Sequence, residues 1–154
     1  MTTHYLEDFK VGQKYSTGTI RVTSEEIKAF AKQFDPQPYH MDDEAAKKSF
    51  FGGLAASGWH TAALTMRLIV GGELQPVGGI IGAGFDEFRW TLPVRPGDTL
   101  HAESEILEVR ESKSKPTQGL VKVKTTTYNQ DNEPVQVYVV NMVVQRRGAA
   151  TPGS

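Results

Sequence analysis

The helical signals of this 154-residue chain are gathered before Gly71-Gly72, and apart from an extended stretch at Tyr15–Val22 the strand signals follow it. Helices and strands segregated in this way belong to α+β architectures, in which an antiparallel sheet packs against helices that are not interleaved with its strands. One helix narrows the choice further. From Ser57 the residues Ala62, Ala63, Leu64, Met66, Leu68, Ile69 and Val70 are apolar around nearly the whole circumference before Gly71-Gly72 ends the run. A helix of that kind is stable only when enclosed. The expected arrangement is therefore a curved antiparallel sheet of about five strands wrapped around one long central helix.

The remaining elements can be placed from their punctuation. Thr23 and Glu26 have capping-box spacing, and Ile27, Phe30, Ala31 and Phe34 follow at i, i+3, i+4 and i+7, which predicts a helix ending near Phe34. Pro36 and Pro38 remove backbone donors and push Asp35 and Gln37 toward extended geometry. Asp42-Asp43-Glu44 supplies a cap and a first-turn charge for a short helix through Lys48, and Phe50-Phe51-Gly52-Gly53-Leu54 reads as a loop. Strands are expected at Leu100–Val109, Leu120–Tyr128 and Val135–Val144, with Ile80–Leu92 strand-like, Pro93–Asp98 a turn and Asn129–Glu133 a hairpin loop. Residues 1–147 then form one domain, and Gly148–Ser154, without a large apolar residue, is expected to fray.

Composition excludes several chemistries. The chain has no cysteine, so it offers no thiolate nucleophile, disulfide or thiolate metal site. Lys and Arg number 17 against 18 Asp and Glu, a net charge of −1, which argues against counterion-release binding to nucleic acid. Met1–Asp8 has neither the basic start nor the apolar stretch of an export signal. The longest mostly apolar run, Ala62–Val70, is broken by Thr65 and Arg67 and falls short of the roughly 20 residues of a membrane span. A cytoplasmic location is expected.

Three segments carry chemistry. Phe34-Asp35-Pro36-Gln37-Pro38-Tyr39-His40 puts a carboxylate and an imidazole five positions apart on a proline-stiffened turn, a pair able to hold a water and move its proton, although Asp-Pro is also ordinary turn chemistry. Ala56-Ser57-Gly58-Trp59-His60 opens the long helix, where unpaired amides and the positive dipole end suit a developing oxyanion, with Gly58 allowing close approach and Ser57 a plain N-cap on the simpler view. Arg110-Glu-Ser-Lys113-Ser-Lys115-Pro116 is a basic turn that could meet phosphates or simply be solvated. His60 fits packing or capping better than catalysis. No metal site is expected, because His40 and Asp42 lack a third ligand at a recognised spacing.

Asp35-Pro-Gln-Pro-Tyr-His40-Met-Asp42, Phe51-Gly-Gly-Leu54, Ala56-Ser-Gly-Trp-His-Thr61, Arg89–Leu100 and Ser112-Lys-Ser-Lys-Pro116 together resemble the MaoC-like dehydratases, relatives of the (R)-specific enoyl-CoA hydratases. The resemblance implies a hot-dog fold and a homodimer with a continuous sheet. It implies that Asp35 and His40 activate a water for addition across the 2,3 double bond of an acyl-CoA thioester, with the Gly58 amide polarising the thioester carbonyl. Gln37, Phe51, Ser57 and Trp59 become candidates for binding substrate, and Lys113 and Lys115 for the CoA phosphates. No cofactor is implied, CoA being part of the substrate. Phe34 and Gln37 depart from the family's usual Gly and Asn, which puts acyl specificity in question: Phe34 is expected to narrow or redirect the acyl pocket, and any bond that aligned the turn must be remade by the longer amide. Thioester hydrolysis, or acyl-CoA binding without turnover, remain open on the same fold.

Overall fold

A computed structural model describes residues 3–148, so the expected fraying of the tail lies outside the described residues beyond Gly148. A 3-10 turn at Leu6–Asp8 leads into β1 (Lys14–Ser16), β2 (Ile20–Arg21), α1 (Ser24–Phe34), α2 (Pro38–Met41), α3 (Asp43–Lys47) and α4 (Gly58–Val70). β3 (Gly82–Trp90), β4 (Thr99–Glu111), β5 (Gln118–Tyr128) and β6 (Pro134–Gln145) follow. The strands form one antiparallel six-stranded sheet in the order β1-β4-β5-β6-β3, with β2 also on β4. Tyr15–Val22, expected as one strand, is two, both paired to β4 and separated by Thr17-Gly18-Thr19.

Local chemistry accounts for the elements. Thr23 Oγ1 accepts the Glu26 amide and caps α1, Asp42 caps α3 through the Glu44 amide, and Ser57 caps α4 through the Trp59 amide. Side chains this short mimic a backbone acceptor for the orphan first-turn donors, which is why they mark helix starts. α2 is one turn of helix with Pro38 at its first position, where the missing donor costs nothing. On β5, Val121, Val123, Thr125 and Thr127 face inward while Lys122, Lys124, Thr126 and Tyr128 face outward, as the period of two requires.

The core lies between α4 and the sheet. Leu64 and Leu68 meet Val22, Ile27, Leu100 and Val135 at one end, and Ile69 meets Ile106, Val123 and Met142 at the other. Each such side chain contributes about 1.5–3 kcal/mol on full burial. The sheet curves around α4 as expected, and within the single chain it covers one side of the helix. Trp59 (63% exposed), Met66 and Val70 stay outside and join Ile81, Phe85 and Trp90 on and beside β3 in an apolar face. One curved sheet spans only part of a helix circumference, and Trp59 and Trp90 meet edge-on outside it. Among the described residues β3 is paired with β6 and ends the sheet.

Gly119 fixes how closely the amino-terminal turn rides on the sheet. A Cβ at this position would collide with the Arg110 carbonyl of β4 and with the Leu6 side chain. Because the obstacle includes backbone, Gly119→Ala is expected to cost about 1–3 kcal/mol, read as a lower urea midpoint with an unchanged slope.

Candidate active site

α1, α2, the loop after α3 and the start of α4 converge on Asp35 and His40. Asp35 follows the last turn of α1 with its side chain 17% exposed, and His40 sits on α2, 4% exposed. His40 Nε2 stands 3.4 Å from Asp35 Oδ2. The other ring nitrogen, Nδ1, lies 2.6 Å from the carbonyl oxygen of Ala55. A carbonyl only accepts, so Nδ1 carries the hydrogen, and in the neutral ring Nε2 is left as an acceptor. Two acceptors thus face each other, an arrangement satisfied by a proton or by a molecule with two O–H groups.

The carboxylate is held on both oxygens. Ser57 Oγ donates to Oδ2 at 2.7 Å and Gln37 Nε2 donates to Oδ1 at 2.6 Å, while the Tyr39 hydroxyl donates to Gln37 Oε1. Burial by itself pushes the Asp35 carboxyl up, yet the group lies below the ordinary aspartate range, with the Ser57 hydrogen bond and then that of Gln37 the leading causes. Gln37 therefore aligns the turn. Phe34 packs on Phe30 with ring centroids 5.0 Å apart, is 63% exposed and is not among the residues lining the cavity, so the expected narrowing of the acyl pocket by Phe34 is not seen.

His40 and Gly58 line a cavity of about 300 Å³ together with Tyr39, Phe51, Thr61 and Trp90. Asp35 adjoins this cavity through His40. Gly58 is the first residue of α4, whose leading amides have no helical acceptor and carry the positive end of the dipole. Its missing side chain has a second reason: a Cβ here would lie 2.6 Å from the Trp90 indole. The loop bearing Ala55 is held from outside by Arg95, whose guanidinium donates to the carbonyls of Phe51 (2.5 Å), Gly53 (2.9 Å) and Leu54 (3.3 Å).

Of the residues singled out from sequence, Asp35, Gln37, His40, Phe51, Ser57 and Gly58 come together here. Trp59 turns outward and meets Trp90 edge-on, with centroids 5.3 Å apart. Lys113 and Lys115 lie on the exposed β4–β5 turn, where Lys113 lines a separate surface hollow with Arg110 and Glu111. His60 stacks on Phe30 at 4.7 Å, and burial holds its imidazole below the usual range against the opposing pull of Glu26. Arg95, Trp90, Tyr39 and Thr61 had been given no role from sequence. An arginine between two prolines, Pro93 and Pro96, was the one local signal for Arg95. Among the described residues no three acidic or imidazole side chains gather as a metal site requires, and no helix is long and apolar enough to cross a membrane.

Over residues 8–129 the chain matches the MaoC like domain family. It is 51% identical to the MaoC-like dehydratase from Rhodospirillum rubrum, whose crystal structure superposes with a TM-score of 0.91 over 94% of this chain and 98% of that one. The R-hydratase of Pseudomonas aeruginosa is 26% identical, with a TM-score of 0.73 over 97% and 95% of the two chains. The mesaconyl-CoA hydratase of Cereibacter sphaeroides is 30% identical over 152 residues, 96% of this chain but 43% of the hydratase, so the chain spans less than half the length of that relative. The match over most of the chain, on an antiparallel sheet packed against one long helix, makes this protein a member of the MaoC like domain family with the hot-dog fold of its dehydratase and hydratase neighbours.

Proposed function

We propose that the protein catalyses reversible hydration of a 2-enoyl-CoA thioester. The observation that carries this reading is the pair of acceptors, Asp35 Oδ2 and His40 Nε2, facing each other at 3.4 Å beside a cavity also lined by Gly58. One water satisfies both acceptors by pointing its two O–H groups at them, which turns an oxygen lone pair outward as a nucleophile. Its oxygen bonds to the β-carbon, the π electrons move toward the thioester carbonyl, and the Gly58 amide stabilises the oxyanion that forms. Asp35 takes the proton the water loses, and the Asp35–His40 pair returns it to the α-carbon. Water is consumed whole, and no redox or metal step is needed for the balance. The dehydratase and hydratase relatives support the same chemistry.

The hydratase reading extends to assembly and location. The apolar face of α4 and β3, formed by Trp59, Met66, Val70, Ile81, Phe85 and Trp90, fits a second copy of the chain, which would continue the sheet across the β3 edge. Lys113 and Lys115 remain candidates for the CoA phosphates, reached from a neighbouring protomer or by an extended nucleotide. The expected location is the cytoplasm, with CoA entering as part of the substrate and no separate cofactor.

Purified protein given crotonyl-CoA and longer enoyl-CoAs is expected to lower the absorbance of the conjugated thioester. Asp35→Asn and His40→Ala should each reduce the rate by about 10²-fold or more while melting as cooperatively as the parent. Activity surviving both changes would refute the assignment, and release of free CoA would mark hydrolysis of the thioester instead. A titration of the Asp35 side-chain carbon by NMR checks the state of the base. Its midpoint is expected below the ordinary value of about 3.9, and Ser57→Ala should move it upward. By linkage, ionised Asp35 stabilises the fold above the unfolded value of about 3.9, and that contribution is lost as pH falls through the lower folded value.

A further inference from the structure

The same six-stranded sheet carries a row of buried polar groups that the hydration chemistry does not use. Trp90 on β3, Gln136 on β6 and Thr127 on β5 are register partners, one level of three adjacent strands. Gln136 is fully buried, as are Thr127 and Thr65 of α4. The indole Nε1 donates to Gln136 Oε1 at 2.9 Å, and Gln136 Nε2 donates to Thr65 Oγ1 at 3.1 Å. Thr65 Oγ1 also donates to the Thr61 carbonyl at 2.9 Å and lies 2.8 Å from Thr127 Oγ1. The assignment has one consistent solution. An indole only donates, so the Gln136 oxygen faces it. Thr65 has a single proton, spent on Thr61, so it accepts from both Gln136 and Thr127. Every group in the row is satisfied, and turning the indole away would strand a buried amide oxygen.

The ring so held is a wall of the cavity lined by His40 and Gly58, with the Gly58 Cβ position 2.6 Å from it. That cavity, about 300 Å³, is at the small end of ligand clefts, which run from roughly 300 to 1,000 Å³. The wall is backed in depth. The register shift between Phe85 and Glu87 sets Phe85 on the face that also carries Phe88 and Trp90. Phe88 meets Trp90 at 5.2 Å and Phe85 at 5.2 Å, and Phe85 lines a second, apolar cavity of about 70 Å³ with Met66, Ile69 and Tyr138. The three rings stand between the two spaces.

Resting on the hydratase reading, we propose that Trp90, clamped by Gln136, is the specificity-determining wall that closes the acyl end of the site and restricts the substrate to short acyl groups. Trp90 acts by direct contact with the acyl chain. Gln136 is a positioning residue that acts through Trp90.

The experiment uses two readouts on one set of proteins: kcat/KM for enoyl-CoAs of increasing chain length, and calorimetric Kd for the corresponding saturated acyl-CoAs, which needs no turnover. In the parent both are expected to worsen with chain length. Trp90→Ala is expected to shift the long-to-short ratio toward longer chains by about tenfold or more, the scale on which an apolar pocket discriminates a methylene. Gln136→Leu should shift the same ratio in the same direction but less, without matching its loss of thermal stability, and Trp90→Phe supplies a milder opening should the alanine variant fail to fold. A ratio unchanged in the folded Trp90 variants overturns the proposal. Should the parent bind acyl-CoA without hydrating it, the hydratase reading fails while the Kd ratios still decide the wall; a parent that binds no acyl-CoA of any length overturns both.

Discussion

The Ser57 hydroxyl is the joint on which the site turns. Its proton goes to Asp35 Oδ2 at 2.7 Å, and its oxygen accepts the Trp59 amide at 3.2 Å. An N-cap of this kind ordinarily contributes about 1 kcal/mol to a helix. Here the same group also anchors the carboxylate, so the start of the longest helix and the candidate base cannot be placed independently. The neighbouring positions continue the arrangement: the Ala55 carbonyl fixes the His40 ring, the Ala56 amide donates to the Val94 carbonyl at 2.8 Å, and Gly58 offers the first amide of α4. Three consecutive residues, Ala55, Ala56 and Ser57, therefore carry the positioning contacts that lead into Gly58, and Arg95 holds the loop before them.

That arrangement offsets the cost of burying two titratable groups. A carboxylate removed from water rises in pKa unless donors compensate, and Ser57 and Gln37 are the donors that compensate here. For His40 the Ala55 carbonyl selects the tautomer, so the imidazole and the carboxylate present lone pairs to the same point. The fold thereby fixes both groups in place beside the cavity. Groups fixed in advance in this way need no ordering when a reactant arrives, which is what makes weakly basic side chains useful.

Most of the secondary structure was legible because its signals are local. Thr23, Asp42 and Ser57 mark helix starts through contacts two or three residues away, and the alternation on β5 needs only its own sequence. α2 was not legible: four residues are too few for periodicity, and the two prolines pointed to a turn. The exposed side of α4 was hidden too, since an apolar circumference does not say which arc a sheet covers and which is left for another surface. In the site, the Asp35–His40 and Ser57–Gly58 segments stood out because each is short and chemically dense. Arg95 and Trp90 did not, as their partners lie 41 to 46 positions away in the chain and nothing local announces them.

The polar row across β3, β6 and β5 bears on why so apolar an interface between helix and sheet contains an amide and two hydroxyls. Replacing all of them with apolar residues of similar shape could leave stability little changed, because a satisfied buried hydrogen bond contributes little net over a good apolar contact. Its distinctive effect is directional. Val135 and Val137 on either side of Gln136 tolerate a small slide of α4 along the sheet, whereas the amide accepts the indole at one end and reaches Thr65 at the other only in one register. Thr65 is two turns along α4 from Gly58, on a helix that moves as a rigid unit. The row therefore sets the distance between the start of α4 and the indole facing it, a distance that dispersion contacts alone would leave loose.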